Sequence, residues 1–264
     1  MHGHPCLQRH GKLFRQHAHQ LFVAARQRYL ASADARAGAH QCELRQVAVA
    51  AVREDSPQNP VTRKGSIRVA MEKRLEAASR KGAKVIIVRA GDFFGPGAGN
   101  SWVSMGLVKP GKPVKVISDP AAAGVGHQLA YRPDVARTMV ELLARRDSLA
   151  AFESFHMEGH WDATGVQMAE CIQRVVGLAT GSAPRVAAFP WWLIPLAAPF
   201  MATMREMLEM RYLWQREVRM VNHRLVAVLG REPRTSLDVA VGATLRSMTC
   251  IDPSAAPGVH CLAP

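Results

Sequence analysis

A chain of 264 residues with 48% hydrophobic content is long and apolar enough for one large globular domain or two small ones. Its formal net charge of +13 invites an anionic partner, but Lys and Arg are scattered over every segment and aromatics make up only 6%. That pattern excludes a base-stacking nucleic-acid surface and leaves a nucleotide phosphate as a compatible anion. The five cysteines lack the paired spacing of zinc or redox motifs, and with no apolar signal segment in MHGHPCLQRHGKLF they fit a reducing, cytoplasmic setting.

In chain order, residues 1–52 form an atypical segment of weak expected order, carrying His2, His4, His10, His17, His19 and His40 without a regular ligand spacing. Residues 53–248 carry the folded region. There, Pro60 to Pro96 reads as an amphipathic helix, a stop at Gly82, a buried strand and a glycine-bearing turn, half of an α/β unit. Ile67, Ala70, Met71, Leu75 and Ala78 fall three or four apart and predict the face turned to a sheet, with Lys73, Arg74 and Arg80 toward water. The β-branched run Val85 to Val88 predicts a central parallel strand. Ligands of open α/β sheets bind beyond the carboxyl ends of strands, which places chemistry at Arg89, Ala90, Gly91, Asp92, Phe93 and Phe94.

The loop Gly95 to Asn100 follows a strand but has Asn100 in place of the fingerprint's last glycine and no capped helix after it, so it predicts a flexible active-site loop rather than a pyrophosphate cradle. PVKVISD and Gln128 to Tyr131 read as strands, with Asp134 as N-cap of a helix through Val135, Met139, Leu142 and Leu143. Phe152 to Met157 predicts another strand. His156, His160, Trp161 and Asp162 look like a ligand cluster, but residues four apart in an extended chain lie about 13 Å from each other, so no metal is expected. Thr164 is the expected cap of a helix that Gly177 closes, which makes a second βα unit.

Phe189 to Met204 is sixteen residues without a charge. It is short for a membrane span and broken by Pro190, Pro195 and Pro199, so a buried or partner-facing segment is expected and no membrane partner. The Trp- and Met-rich residues that follow suggest packing or a pocket wall. A last helix runs from Ser236 through Met248, and residues 249–264 read as a frayed tail.

In this order the pieces resemble the C-terminal two thirds of the NAD-dependent epimerase/dehydratase family, the extended short-chain dehydrogenase/reductases. The resemblance rests on a helix followed by a strand ending in Arg89 and Gly95-Pro96, on LAYRPDVARTM, on FESFHMEGHWDATGVQMAECIQRVVG and on LGREPRTSLDVAVGATL. It implies a Rossmann-like doubly wound parallel sheet with a small C-terminal substrate-side subdomain. The implied cofactor is NAD or NADP, with nicotinamide near Arg89, Ala90, Gly91, Asp92 and Phe93. The implied substrate is a sugar nucleotide or similar small hydroxy or carbonyl compound, near Asn100 and His127, and a homodimer is the implied assembly. On residue type alone Asn100 is equally a turn residue and His127 a loop residue.

Two departures from the family stand out. Lys64 and Arg68 occupy the positions of its catalytic Tyr and Lys, where neither supplies a phenolate. They read either as solvated residues of a first helical turn or as phosphate and ribose ligands. The second departure is the missing opening strand and glycine fingerprint, so the cofactor half is incomplete, and a truncated or frame-shifted start is expected. Loss of those strands predicts poor solubility or dependence on a partner. The competing reading is a non-catalytic cofactor-sensing or partner-binding module, or an inactive fragment.

Overall fold

The structure, a computed structural model, describes residues 51–60, 62–99, 101–122 and 124–252; the expectations for the histidine-rich start, for Asn100 and for most of the tail lie outside these residues. Helix α1 spans Arg63–Ser79, and Thr62 caps it by accepting the Gly65 N–H on its hydroxyl at 3.1 Å. Gly82 takes the left-handed conformation expected of it (φ 97°), and Ala83 N–H returns to the Ala78 carbonyl.

The buried face of α1 is not the predicted one. Gly65, Arg68, Val69, Glu72 and Ser79 turn inward, whereas Ile67 is 54% exposed and Ala70 faces water. A polar stripe is buried here because its charges are paired, as described below, and composition alone cannot distinguish such a stripe from a solvated one.

Strand β1 is Ala51–Val52, and β2, Val85–Arg89, pairs in parallel with β6, Phe152–His156, from Val85 opposite Phe152 to Arg89 opposite His156. The chain then forms β3, Asp92–Phe94, parallel to β5, His127–Tyr131. Strand β7, His160–Asp162, closes antiparallel on β5, so the apparent ligand cluster is divided between two strands, His156 on β6 and His160, Trp161 and Asp162 on β7. Strand β4, Val116–Asp119, pairs in parallel with β8, Arg185–Ala188, and β1 with β9, Arg219–Met220. The parallel pairs and their helical crossovers make a mixed α/β architecture.

Alternation along β5 decides where the core lies. Leu129 and Tyr131 enter a cluster with Phe94, Ile117, Met168, Ile172 and Leu245, while Ala130 joins Val88, Val135, Leu142, Phe155 and Leu225. Helix α2, Arg132–Ala144, carries Val135 and Leu142 into the second cluster. Helices α3, Gln167–Thr180, and later Leu237–Ser247 pack together beside the first.

Two predicted caps are corrected. Asp134 lies inside the first turn of α2, where its carboxylate accepts Thr235 N–H at 2.6 Å and Thr235 Oγ1–H at 2.8 Å. Asp162, not Thr164, serves the start of α3: its Oδ2 accepts Met168 N–H at 3.0 Å and its Oδ1 accepts Gly165 N–H at 2.7 Å. Gly181, with φ 74°, ends that helix in place of Gly177. The uncharged run forms short turns at Trp191–Leu193 and Ile194–Ala197, with Trp192 70% and Phe200 88% exposed. No described helix is long and apolar enough to cross a membrane.

Candidate functional site

The carboxyl end of β2 meets α1 through charge. Arg89 donates Nε–H to Glu72 Oε1 at 3.1 Å and Nη2–H to Glu72 Oε2 at 2.6 Å, and both side chains are 4% exposed. Arg89 Nη1 also lies 3.1 Å from His156 Nε2. A guanidinium only donates, so Nε2 accepts and the imidazole proton sits on Nδ1, from which it donates to the Val52 carbonyl at 3.2 Å. His156 N–H donates to Glu54 Oε1 at 2.8 Å, and Gln58 Nε2–H donates to Glu72 Oε2 at 2.9 Å. The network fastens residues 52–58, α1, β2 and β6 around one bidentate pair.

Arg68 and Lys64 sit on the same helix. Arg68 is 3% exposed; burial pulls its pKa down to about 10, against the opposing pull of Glu72, so it stays a cation at neutral pH. Lys64 pairs with Glu206 Oε2 at 2.6 Å, reaching the helix Ala202–Met210. Neither residue is a bare solvated position: Arg68 is buried and Lys64 is half-buried in an ion pair.

Beyond β2 the chain turns through Ala90 and Gly91. A side chain on Gly91 would lie 2.4 Å from the Gln128 carbonyl oxygen, so β3 and β5 close together only over a glycine. This approach brings Asp92 to His127, with Nε2 and Oδ2 at 2.7 Å and both side chains buried. The indole of Trp214 stacks on the imidazole at 3.7 Å between ring centroids and 9° between planes. Trp102 packs edge-on to Trp214 at 5.1 Å and also contacts Trp191 and Phe189, so an aromatic cluster walls this end.

Residues expected to serve separate purposes, Asp92 for cofactor and His127 for substrate, thus form one buried pair. The space beside His127, lined by Trp102, Asp119, Asp162 and Trp214, measures about 10 Å³, room for about one water. Burial raises the Asp119 carboxyl, partly offset by its bond from Ala121 N–H, and neighbouring Asp162 raises it further. Trp214 lies far along the chain in a run that reads as packing, and its only sequence signal is aromatic richness. Among the described residues no group of three His, Cys, Asp or Glu is arranged to hold a metal ion.

No protein-family model matches the chain, and no match emerges among curated proteins. Solved structures do match in fold. RMD from Pseudomonas aeruginosa, complexed with NADPH, superposes with a TM-score of 0.53 at 15% identity over 76% of this chain and 61% of its own. A UDP-galactose 4-epimerase gives 0.52 at 13% identity, covering 75% of this chain and 57% of its own. A UDP-glucuronic acid 4-epimerase from Bacillus cereus, in complex with NAD, gives 0.52 at 14% identity, covering 75% and 56%. The chain thus spans less than two thirds of these structures, and what it shares with them is a mixed α/β fold with parallel strand pairs.

Proposed function

We propose that the chain is an NAD(P)-binding relative of the epimerase and dehydratase enzymes, acting on a sugar nucleotide or a similar small hydroxy or carbonyl compound. The observation that carries this reading is the buried Asp92–His127 pair just past the carboxyl end of β2, where open α/β sheets bind ligands. The fold likeness to structures complexed with NADPH or NAD supports the choice of cofactor.

The described residues fit such a cofactor on one side. Arg89 is engaged by Glu72, and Gly91 is packed against Gln128, so both are structural. In this reading half-buried Phe93 would meet the nicotinamide, and the cations of Lys64 and Arg68, one turn apart on α1, would meet the ribose and phosphates. When bound, the cofactor supplies the hydride chemistry. With no tyrosine at position 64, the proton on the substrate hydroxyl falls to His127, whose ring Asp92 orients through Nε2. Substrate reaches His127 when Trp214 or Trp102 moves, because the space there admits about one water.

The second reading is a cofactor-sensing module without turnover, since Lys64, at the expected tyrosine position, supplies no phenolate and is held by Glu206. Titration of the purified chain with NADH and NADPH, followed by nicotinamide fluorescence, and incubation with UDP-glucose separate the two. Binding with turnover supports the enzyme, binding alone the sensor, and no binding refutes both.

A further inference from the structure

A second cavity lies behind the wall of Leu129, Asp162 and Met168 that it shares with the space beside His127, and its construction points to a ligand. It measures about 160 Å³ and opens between β7, the start of α3 and the segment before the last helix. Its floor is buried Leu129, Met168 and His160, and its rim holds exposed Arg234 and Ser236.

Two carboxylates hold the walls in place. Asp134 binds Thr235 through backbone and hydroxyl, which fixes the flanking Arg234 and Ser236. Asp162 is spent on the amides of Thr164, Gly165 and Met168. Arg234 has no ion pair or hydrogen bond among the described residues, so a cation stands at the rim. Beneath it His160 is 5% exposed and its Nε2 has no hydrogen-bond partner. Buried polar atoms in native structures are nearly always satisfied, so an orphan in a cavity wall marks a group that a ligand completes. Burial, with the Arg234 charge acting in the same direction and Asp134 against, lowers His160 to about 4, and the ring is neutral at physiological pH. A neutral imidazole offers one donor and one acceptor, and it suits a hydroxyl or carbonyl better than a second charge.

We propose that this cavity binds a small hydroxy- or oxo-carboxylate: Arg234 and Ser236 hold the carboxylate, Leu129 and Met168 cover the apolar body, and His160 hydrogen-bonds the hydroxyl or carbonyl. The site takes its polar contacts from Arg234, Ser236 and His160 rather than from Asp92 and His127, and it shares the wall residues Leu129, Asp162 and Met168 with the space beside His127. Its ligand is small because the volume falls below that of drug-sized pockets.

The probe is 4-hydroxybenzoate, with benzoate as the partner lacking the hydroxyl, titrated into the full chain while the His160 imidazole proton signals are followed by NMR. Saturable shifts are expected, with a Kd of about 1 mM or tighter. Arg234→Gln, on the exposed rim, weakens both ligands about tenfold. His160→Phe keeps the aromatic volume and removes the preference for 4-hydroxybenzoate over benzoate. Absence of a saturable His160 shift at the solubility limit overturns the proposal, as does a Kd that Arg234→Gln leaves unchanged. Should His160→Phe fail to fold, the Arg234→Gln result decides alone.

Discussion

Glu72→Ala takes one side away from the buried charge network. It deletes two charge-assisted bonds to Arg89, at 3.1 and 2.6 Å, and leaves a guanidinium in a site 4% exposed. What remains to Arg89 is His156 Nε2 and a long contact of 3.5 Å to the Glu54 carbonyl. Arg68 also loses the group that opposes its desolvation, yet starting from about 10 it remains charged at pH 7. Removing one partner of a buried ion pair costs about 3–5 kcal/mol, against at most about 1 kcal/mol for an exposed pair. Glu72→Gln keeps an acceptor and costs less, about 1–3 kcal/mol. The double variant Glu72→Leu/Arg89→Leu removes both charges together and loses less than Glu72→Ala alone. Urea unfolding followed by tryptophan fluorescence reads all three. A Glu72→Ala loss below about 1 kcal/mol, or a double variant at least as unstable as Glu72→Ala, refutes the account of α1.

Other substitutions probe the site and its supports. Gly91→Ala forces a methyl to 2.4 Å from the Gln128 oxygen, and thermal unfolding by circular dichroism should show a loss of about 1–3 kcal/mol. His127→Phe keeps an aromatic ring on Trp214 but deprives Asp92 of its 2.7 Å bond, costing about 1–3 kcal/mol in urea and abolishing any turnover. Lys64→Gln breaks a pair whose two side chains are 33% and 54% exposed, so stability changes by under about 1 kcal/mol while NADPH affinity falls. His160, lowered from 6.5 to about 4 in the folded protein, takes up its proton more readily unfolded. Its contribution is whole above pH 6.5 and falls by about 1.4 kcal/mol per unit as pH drops toward 4, a slope that His160→Phe should flatten in pH-dependent melts.

What the sequence made legible was local. The β-branched run Val85 to Val88 gave its strand and its parallel pairing, while the partner β6 was not named by it and is the one strand that pairs with β2 among the described residues. The start of α1 was readable as a polar lead-in, but its buried face was not. Arg68 and Glu72 are inside because Arg89, Gln58 and His156 complete them, and those partners come from other elements. Asp134 and Asp162 carry the right chemistry for caps, yet which amides each one takes depends on how the chain returns. Asp134 meets Thr235 a hundred residues later. For the same reason Asp92 and His127 could be singled out one at a time from the sequence but not as a pair: Gly91 closes the gap by allowing Gln128 to approach. The orphaned His160 has no sequence signature, since satisfaction of a ring nitrogen is a property of the folded neighbourhood.

Cofactor binding tests the central claim most directly. Titrating the full chain with NADPH and NADH, with nicotinamide fluorescence as readout, is predicted to give saturable enhancement that Lys64→Gln weakens without unfolding the protein. A flat response to both nucleotides from a chain that shows a cooperative melt would contradict it.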